Sequence, residues 1–262
     1  FINLGKNDLN ISAFDKADFQ SKKREFSEPM NDIKYTNDVT YRAFKGEFSA
    51  FFGREYEILR LVDILSKCKK NNAVLIGESG VGKTAIAYQL AKRIVSRDVP
   101  NQLLDCHILE LDVTSCISGC RYRGDFEERI NQLLKMLKSK KEKIILLIDE
   151  IHTVVNLGEA SESGISFSNM LKPFLLNSNV RVIGTTTLKE YRKIEKDKAL
   201  ERRFDTIIVN EPSFDETIEI LQCVLPEFEE FYNVRINFET LKDVVNLSKR
   251  YIPERNLPDK AI

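Results

Sequence analysis

The segment of residues 77–84 reads Gly77-Glu78-Ser79-Gly80-Val81-Gly82-Lys83-Thr84 and directly follows the apolar run of residues 73–76. It fits the pattern GxxxxGK[ST], in which a glycine-rich turn between a buried strand and a helix wraps its N–H groups around phosphate oxygens. The N-terminal end of the following helix adds partial positive charge. We expect Lys83 to lie against the β- and γ-phosphates and the Thr84 hydroxyl to ligate Mg²⁺. The segment therefore predicts a nucleoside triphosphate site in a P-loop α/β fold.

Two carboxylates follow a second strand-like segment. Asp149 and Glu150 come directly after the apolar residues 144–148, which are typical of a buried parallel strand. Polar residues at the carboxyl end of such a strand lie at the ligand crevice of the sheet, where the P-loop also lies. We therefore expect Asp149 to hold a Mg²⁺-bound water and Glu150 to accept a proton from the attacking water. The alternative, a surface turn with two solvated carboxylates, is less consistent with the neighbouring P-loop.

Two later groups of polar residues are ambiguous when they are judged on their own. Residues 185–187 are three threonines at the end of a third predicted strand, where a hydroxyl can meet a phosphate or merely cap a helix. Arg202 and Arg203 offer planar guanidinium groups that can neutralise charge developing during phosphoryl transfer. They lie in a segment rich in both signs of charge, residues 193–203. A solvated charge run is therefore the favoured interpretation of the arginines alone.

The remaining pattern completes an α/β fold. Strand-like runs recur at residues 107–111, 180–183 and 206–209, and segments with apolar residues at helical spacing separate them. This alternation predicts a parallel sheet covered by helices on both faces. After Pro212 the pattern becomes helical, beginning with a capping box from Ser213 to Glu216.

Three parts of the chain are expected from these patterns. We expect residues 1–48 to be a linker or the tail of a preceding N-terminal domain, because they are polar and hold no period for long. Residues 49–211 should form a large α/β ATPase domain, and residues 212–262 an incomplete, truncated small helical domain.

The composition limits the class of function. The 262 residues carry 40 basic and 40 acidic side chains, so no global field attracts a polyanion, which argues against nucleic acid as the main partner. The five cysteines include no CxxC pair, which favours reduced, mostly buried thiols over a zinc site. No apolar run approaches the roughly 20 residues that span a bilayer. No signal peptide is visible, although the chain does not begin with Met and its natural N-terminus is left open.

Many separate segments follow one another in the order of a known family. They are Gly53-Arg54-Glu55, GESGVGKTAIA (77–87), YRGDFEER (122–129), LLIDEIHT (146–153), MLKP (170–173), IGTTT (183–187), EKDKALERRF (195–204), EPSxxET (211–217) and LPDKAI (257–262). Through them, about four-fifths of the chain resembles the first ATPase module of the Clp/Hsp100 unfoldases, a branch of the AAA+ superfamily. The resemblance implies ATP and ADP as nucleotides and Mg²⁺ as cofactor.

The resemblance also implies roles that spacing alone leaves open. Arg202 and Arg203 match an arginine pair that acts in trans, in the ATP site of the neighbouring subunit, which implies a homo-hexameric ring. Thr187 matches a sensor residue at the end of its strand. The other implied nucleotide contacts are Ala85 beside the P-loop, Gly53 and Arg54 near the adenine, Ile218 and Leu221 along the base pocket, and Pro258 and Asp259 of the small domain.

The segment Arg121-Tyr122-Arg123-Gly124 matches the axial pore loop, in which a tyrosine from each subunit grips an unfolded polypeptide. An aromatic ring gives sequence-tolerant apolar contact, and the flanking arginines can stack on neighbours or bridge to them. Without the resemblance, this tyrosine would be interpreted as an aromatic residue in a charged loop. Two departures from the family are visible: the stretch RKIEKDK at 192–198 is one residue short, and residues 158–164 are unusually acidic for a second pore-loop region.

The implied function is ATP-driven unfolding and threading of proteins, with adaptor proteins as further partners and a second ATPase module outside this chain. Residues 181–187 and 256–260 are more like the ClpA type, which feeds a Clp peptidase, so we expect that partner; a stand-alone ClpB-type disaggregase is the alternative. More distant alternatives are a nucleic-acid-directed AAA+ ATPase and a ring scaffold that binds ATP only to assemble. We expect a cytoplasmic location of bacterial type, with an organelle-targeted relative left open, and no membrane or nucleic-acid partner.

Overall fold

The computed structural model describes residues 26, 28–30, 32–48, 51–120, 123–156, 171–172, 174–175 and 180–262. Within these ranges the strands are β1 (Thr36–Asp38), β2 (Asn72–Ile76), β3 (Cys106–Leu111), β4 (Lys143–Ile148), β5 (Val180–Thr186) and β6 (Phe204–Ile208). They form one sheet in the order β1-β3-β4-β5-β2-β6. All neighbouring pairs are parallel except β1 with β3.

The helices alternate with the strands. They are α1 (Val39–Phe44), α2 (Glu55–Ser66), α3 (Lys83–Val95), α4 (Val113–Ile117), α5 (Arg123–Ser139), α6 (Ile151–Asn156), α7 (Leu188–Lys196), α8 (Lys198–Glu201), α9 (Phe214–Tyr232) and α10 (Phe238–Tyr251), followed by a 3-10 turn at Asp259–Ala261. No helix in the described ranges is long and apolar enough to cross a membrane.

Helices cover both faces of the sheet, so the central strands have buried side chains on each face. In β4, the side chains of Ile144, Leu146 and Ile148 join one apolar cluster, and those of Ile145 and Leu147 join the other. Helices α1, α2 and α3 pack on the second cluster, whereas α4 to α8 pack on the first. Burial on both faces explains the continuous apolar runs of the sequence. The predicted fold class, a parallel α/β sheet with a small C-terminal helical lid, is confirmed, except that the edge strand β1 is antiparallel to β3.

Residues 36–44 belong to the large domain, and the expected linker over residues 1–48 is wrong for this part. β1 extends the sheet beside β3, and α1 packs against α3. Where β1 ends, the buried Thr40 hydroxyl accepts a hydrogen bond from the Ile108 N–H at 2.6 Å and so continues the pairing of β3. The strand was missed because its three polar residues carry no apolar pattern and it is defined by backbone pairing. The other domain boundaries stay predictions.

The small domain has its own apolar core between α9, α10 and the 3-10 turn. Helix α9 begins at the expected capping box, because Ser213 Oγ accepts from the Glu216 N–H at 3.2 Å and the Glu216 carboxylate accepts from the Ser213 N–H at 2.8 Å. The hydrogen bond from the Ser213 N–H lowers the pKa of Glu216 below its ordinary value. The end of the lid contacts the segment that follows β6, where the Leu257 N–H donates to the Glu211 carboxylate at 2.8 Å.

Thr40→Val tests whether residues 36–44 are part of the cooperative unit. The substitution leaves the Ile108 N–H buried without its acceptor, so we expect the free energy of unfolding to fall by about 1–3 kcal/mol in urea titrations. Thr206→Val is the matched control, because Thr206 is exposed on β6, and it should change stability by no more than about 0.5 kcal/mol. Equal unfolding midpoints for the two variants would contradict the assignment.

Candidate active site

The P-loop connects the end of β2 to the start of α3 and is held tightly at its entry. The Gly77 N–H donates to the Thr186 carbonyl at 3.1 Å. A Cβ atom at Gly77 would come within 2.3 Å of the Val209 carbonyl oxygen, so this position requires glycine. The loop thus starts at a fixed point between β5 and the end of β6, and its following residues turn around the N-terminal end of α3.

Lys83 points back into the loop. Its Nζ donates to the carbonyl oxygens of Gly77 at 3.0 Å and Glu78 at 2.8 Å. Burial lowers the pKa of Lys83, although Asp149 and Glu150 oppose this effect. A phosphate oxygen would give the ammonium group a negatively charged acceptor in place of a neutral carbonyl oxygen. The position therefore suits an anionic ligand in the loop.

Thr84 and Asp149 bring two hard oxygen atoms together at the carboxyl edge of the sheet. Thr84 Oγ1 donates to Asp149 Oδ1 at 3.0 Å. Mg²⁺ is usually bound by one or two such oxygens together with phosphates and waters, so this pair fits the predicted ion. Glu150 follows directly and lines the same cleft with a half-exposed side chain. Its φ of 47° is unusual for a residue other than glycine.

A cleft of about 500 Å³ lies between the P-loop and the lid. Its polar end is formed by residues 79–85 with Asp149, Glu150 and Thr185, and its apolar end by Phe48, Phe51, Phe52, Tyr88, Ile220 and Val224. The rings of Phe48 and Tyr88 are stacked with their centroids 4.7 Å apart. The Tyr88 hydroxyl donates to Glu110 at 3.0 Å, and burial, with Glu110 beside it, raises the pKa of Tyr88 to about 12. The cleft thus offers a phosphate-binding end and an aromatic end suited to a flat base.

The lid touches the P-loop directly. The Asn256 side-chain amide donates to the Ser79 carbonyl at 3.1 Å, and the Asp259 N–H donates to the Gly80 carbonyl at 3.4 Å. Gly80 has a φ of 82°, and a Cβ there would lie 2.7 Å from the Asp259 Cβ. Pro258 and Asp259 line the cleft, and the nucleotide contact that the resemblance implies for them stays a prediction.

Ile218 and Leu221, which the resemblance implies along the base pocket, lie on a different face of α9 from the cleft. Ile218 and Leu221 are buried in the apolar core of the lid, whereas Ile220 and Val224 line the cleft. The helical apolar stripe identifies the residues that pack against α10, and the cleft lies on another face of the same helix. The residues of α9 placed to contact a base are therefore Ile220 and Val224, and not the expected Ile218 and Leu221.

Arg54 clamps the P-loop rather than standing free in the cleft. Its guanidinium donates to the carbonyls of Val81 at 2.9 Å and Asn210 at 2.7 Å, and it pairs with Glu57 at 3.1 Å. Arg54 also lines the cleft, whereas Gly53 lies outside the lining and provides a turn with a φ of 73°. The clamp ties the P-loop to the segment that follows β6.

The Thr187 hydroxyl is used in a hydrogen bond to the helix that follows it. This hydroxyl caps α7 by accepting from the Glu190 N–H at 3.3 Å, and the cleft is lined by Thr185 instead. Its sensor role stays a prediction. Residue order alone cannot separate the neighbouring threonines, because each hydroxyl has a different partner: Thr185 contacts Asp149, and Thr186 contacts His152 Nδ1 at 3.1 Å.

Arg202 and Arg203 lie at the far end of the sheet from the P-loop. They precede β6, whose first residue Phe204 pairs with Asn72 at the amino end of β2. The five residues of β2 separate them from the loop by about 15 Å along the strand. Arg202 is exposed, and Arg203 Nη1 donates to the Ala199 carbonyl. The pair therefore cannot complete the site of its own chain.

The expected pore loop falls largely outside the described residues. Arg121 and Tyr122 are not described, nor are residues 158–164. Helix α5 begins at Arg123, and Gly124 is exposed in its first turn.

Sequence reasoning missed the aromatic end of the cleft. Tyr88 lies one helical turn after Thr84 on α3, so i, i+4 spacing from the P-loop points to it. Phe48 and Phe51 fall at the edge of the polar N-terminal segment, where scattered aromatics follow no period. Only the fold of residues 36–48 against α3 reveals them.

Sequence profiles assign the class of protein that this fold and site define. The profile of the ATPase family associated with various cellular activities (AAA) matches residues 73–212, and that of the AAA lid domain matches residues 213–262. The chain therefore belongs to the AAA ATPase family and is an ATPase module.

Comparison with individual proteins shows which members of the AAA family this chain resembles. The chain is 48% identical over 242 residues to the chaperone protein ClpB of Mycoplasma pneumoniae, covering 92% of this chain and 33% of that protein. It is 48% identical over 236 residues to heat shock protein hsp98 of Neurospora crassa, covering 90% and 26%. The Hsp104–ADP complex of S. cerevisiae superposes with a TM-score of 0.79 at 43% identity, covering 87% of this chain and 32% of that one. This chain thus spans a quarter to a third of the length of these curated relatives.

Ile220→Ala tests the corrected base pocket. Loss of its apolar contact, worth about 1 kcal/mol, should weaken ADP binding about fivefold in calorimetric titrations. Ile218→Ala is the matched control: it should lower the thermal midpoint of the lid while ADP affinity, measured where the lid is folded, is retained. The reverse pattern, with affinity lost only in Ile218→Ala, would restore the original assignment.

Proposed function

We propose that this chain is an ATPase module of a ClpB/Hsp104-type disaggregase, which uses ATP hydrolysis to thread unfolded polypeptides through a hexameric ring. The observation that carries the proposal is the separation of Arg202 and Arg203 from the cleft of their own chain, which suits a site completed by a neighbouring subunit. The similarity to ClpB and Hsp104 supports the disaggregase alternative over the ClpA type expected from the sequence. A Clp peptidase partner has no such support and is left out of the proposal.

The chemistry assigned to the cleft is phosphoryl transfer to water. Backbone N–H groups of the P-loop and Lys83 would hold the phosphates, and bound Mg²⁺, held through Thr84 and Asp149, would neutralise charge on the phosphate oxygens. Glu150 would accept the proton of the water that attacks the γ-phosphorus. The bond from that phosphorus to the bridging oxygen breaks, so ADP and inorganic phosphate leave.

The arginine pair would supply the remaining positive charge in trans. A guanidinium that approaches the γ-phosphate can stabilise the charge of the transition state, and such contacts are worth about 10³- to 10⁵-fold in rate. In a ring, the exposed end of the sheet that carries Arg202 would face the cleft of the adjacent subunit. Assembly and hydrolysis are coupled by this arrangement, because a single subunit holds only part of the site.

Polypeptide substrates are assigned to Tyr122 and the segment around it. A solved Hsp104 structure with ATPγS and casein, with a TM-score of 0.78 to this chain, supports an unfolded protein as the substrate class. Tyr122 directly precedes α5 in the sequence, and α5 packs on the apolar cluster that contains Ile144, Leu146 and Ile148 of β4. Movement of that helix with the nucleotide state would pull the tyrosine along the ring axis.

Glu150→Gln tests the base assignment. The amide keeps the size of the side chain but cannot accept the proton, so turnover in the oligomeric parent protein should fall about 100-fold or more while ATP still binds. Glu142→Gln makes the same change at an exposed position before β4 and should leave turnover intact. Normal phosphate release by the Glu150 variant would remove it from this role.

Tyr122→Ala tests the substrate contact in the full-length ring, with any second ATPase module inactivated. Without an aromatic grip, the number of protein molecules released from heat-aggregated luciferase per ATP hydrolysed should fall strongly, in the absence of a peptidase. Tyr122→Phe keeps the ring and should retain the coupling. Equal yields per ATP from the alanine variant and the unchanged protein would sink the pore-loop assignment.

A further inference from the structure

The register of the sheet places one buried threonine beside the Asp149 carboxylate and the Glu150 backbone. Ile148 of β4 lies opposite Gly184 of β5 in the parallel ladder, so Asp149 and Thr185 are neighbours at the next position. Thr185 is fully buried and yet lines the cleft with Asp149 and Glu150. A polar side chain at such a place needs hydrogen-bond partners.

The hydroxyl of Thr185 bonds to both acidic residues at once. Thr185 Oγ1 donates to Asp149 Oδ1 at 2.5 Å and accepts from the Glu150 N–H at 2.9 Å. A hydroxyl has one donor and two acceptor sites, so these two bonds are compatible. Because the same Asp149 oxygen also accepts from Thr84, a chain of hydrogen bonds runs from the P-loop helix to the Glu150 backbone.

The Glu150 backbone is the part of this chain that needs support. Its φ of 47° lies in the left-handed region, which a glutamate occupies only when neighbours hold it there. Thr185 holds its N–H, and Thr153 holds its carbonyl through its own N–H at 2.8 Å and its hydroxyl at 2.9 Å. The clamped backbone fixes the direction of the Cα–Cβ bond of Glu150, and its carboxylate also lies 3.8 Å from His152 Nε2.

We infer that Thr185 is a positioning residue for hydrolysis, which fixes the Glu150 carboxylate relative to Asp149 through one hydroxyl group. It acts through the Asp149 carboxylate and the Glu150 backbone and does not itself take part in proton transfer. The inference rests on the roles proposed above for Asp149 and Glu150. A valine of similar volume would fill the same space and keep the core packed, but would leave the Glu150 N–H without its acceptor and Asp149 without one donor.

The test compares three variants of the oligomeric parent protein. Thr185→Val should lower kcat about 10- to 100-fold, the scale expected when a reacting group is misplaced by about 1 Å, with little change in KM for ATP. Thr185→Ser restores the hydroxyl and should recover most of the rate. Thr40→Val is the matched control, because it also removes a buried hydroxyl that accepts a backbone N–H, and Thr40 is not among the residues that line the cleft; its kcat per folded subunit should equal that of the unchanged protein.

A second measurement is independent of hydrolysis. In the nucleotide-free chain, the Glu150 amide should lose its protection from hydrogen exchange in Thr185→Val and keep it in Thr185→Ser. Unchanged kcat in the valine variant, or a serine variant as slow as the valine one, would overturn the inference. If Glu150→Gln blocks turnover while Thr185→Val does not, only the inference fails; if Glu150→Gln hydrolyses ATP normally, the base assignment fails and the inference with it.

Discussion

The parallel pairing of β4 with β5 and of β5 with β2 is the constraint on which the site depends. Ile148 lies opposite Gly184, and Ile76 lies opposite Thr186, so the three strands end at one edge of the sheet. The loop that leaves β2 and the carboxylates that follow β4 are therefore brought together by backbone hydrogen bonds. A slip of one residue would turn every side chain of β5 to the other face and separate these groups.

The lid is linked to the same loop. Asn256 and the Asp259 backbone hold the carbonyls of Ser79 and Gly80, which are part of the wall of the cleft. A ligand that changes the conformation of Ser79 and Gly80 must also change the contacts between the loop and the lid. The lid angle must in turn affect the affinity of the loop for that ligand. Gly80 lies so close to Asp259 that a side chain at position 80 would clash with it, so this contact requires glycine.

Features that lie within one contiguous segment could be predicted from the sequence, whereas features that depend on strand pairing in the fold could not. The P-loop and the pair Asp149 and Glu150 are contiguous segments next to apolar strands, so periodicity and motif spacing located them and the structure brought them into one cleft. Thr185 could not be separated from its neighbours, because its partners are set by strand register. Ile218 and Leu221 were expected at the base pocket through the family resemblance, but they pack in the core of the lid, and the less buried face of α9 lines the cleft.

The two groups of predicted catalytic residues lie at opposite ends of the sheet. The carboxyl ends of the strands gather the P-loop, Asp149 and Glu150, whereas Arg202 and Arg203 precede β6 at the amino end. Because β6 is parallel to β2, no adjustment of side chains can bring those arginines to the phosphate end of the same sheet. In the proposed ring, a second copy placed with its arginine end against the first cleft would bring the two groups together, and repetition of that heterologous contact closes a ring when the rotation permits. The topology of the sheet thus favours an assembly in which each subunit gives a base and receives an arginine.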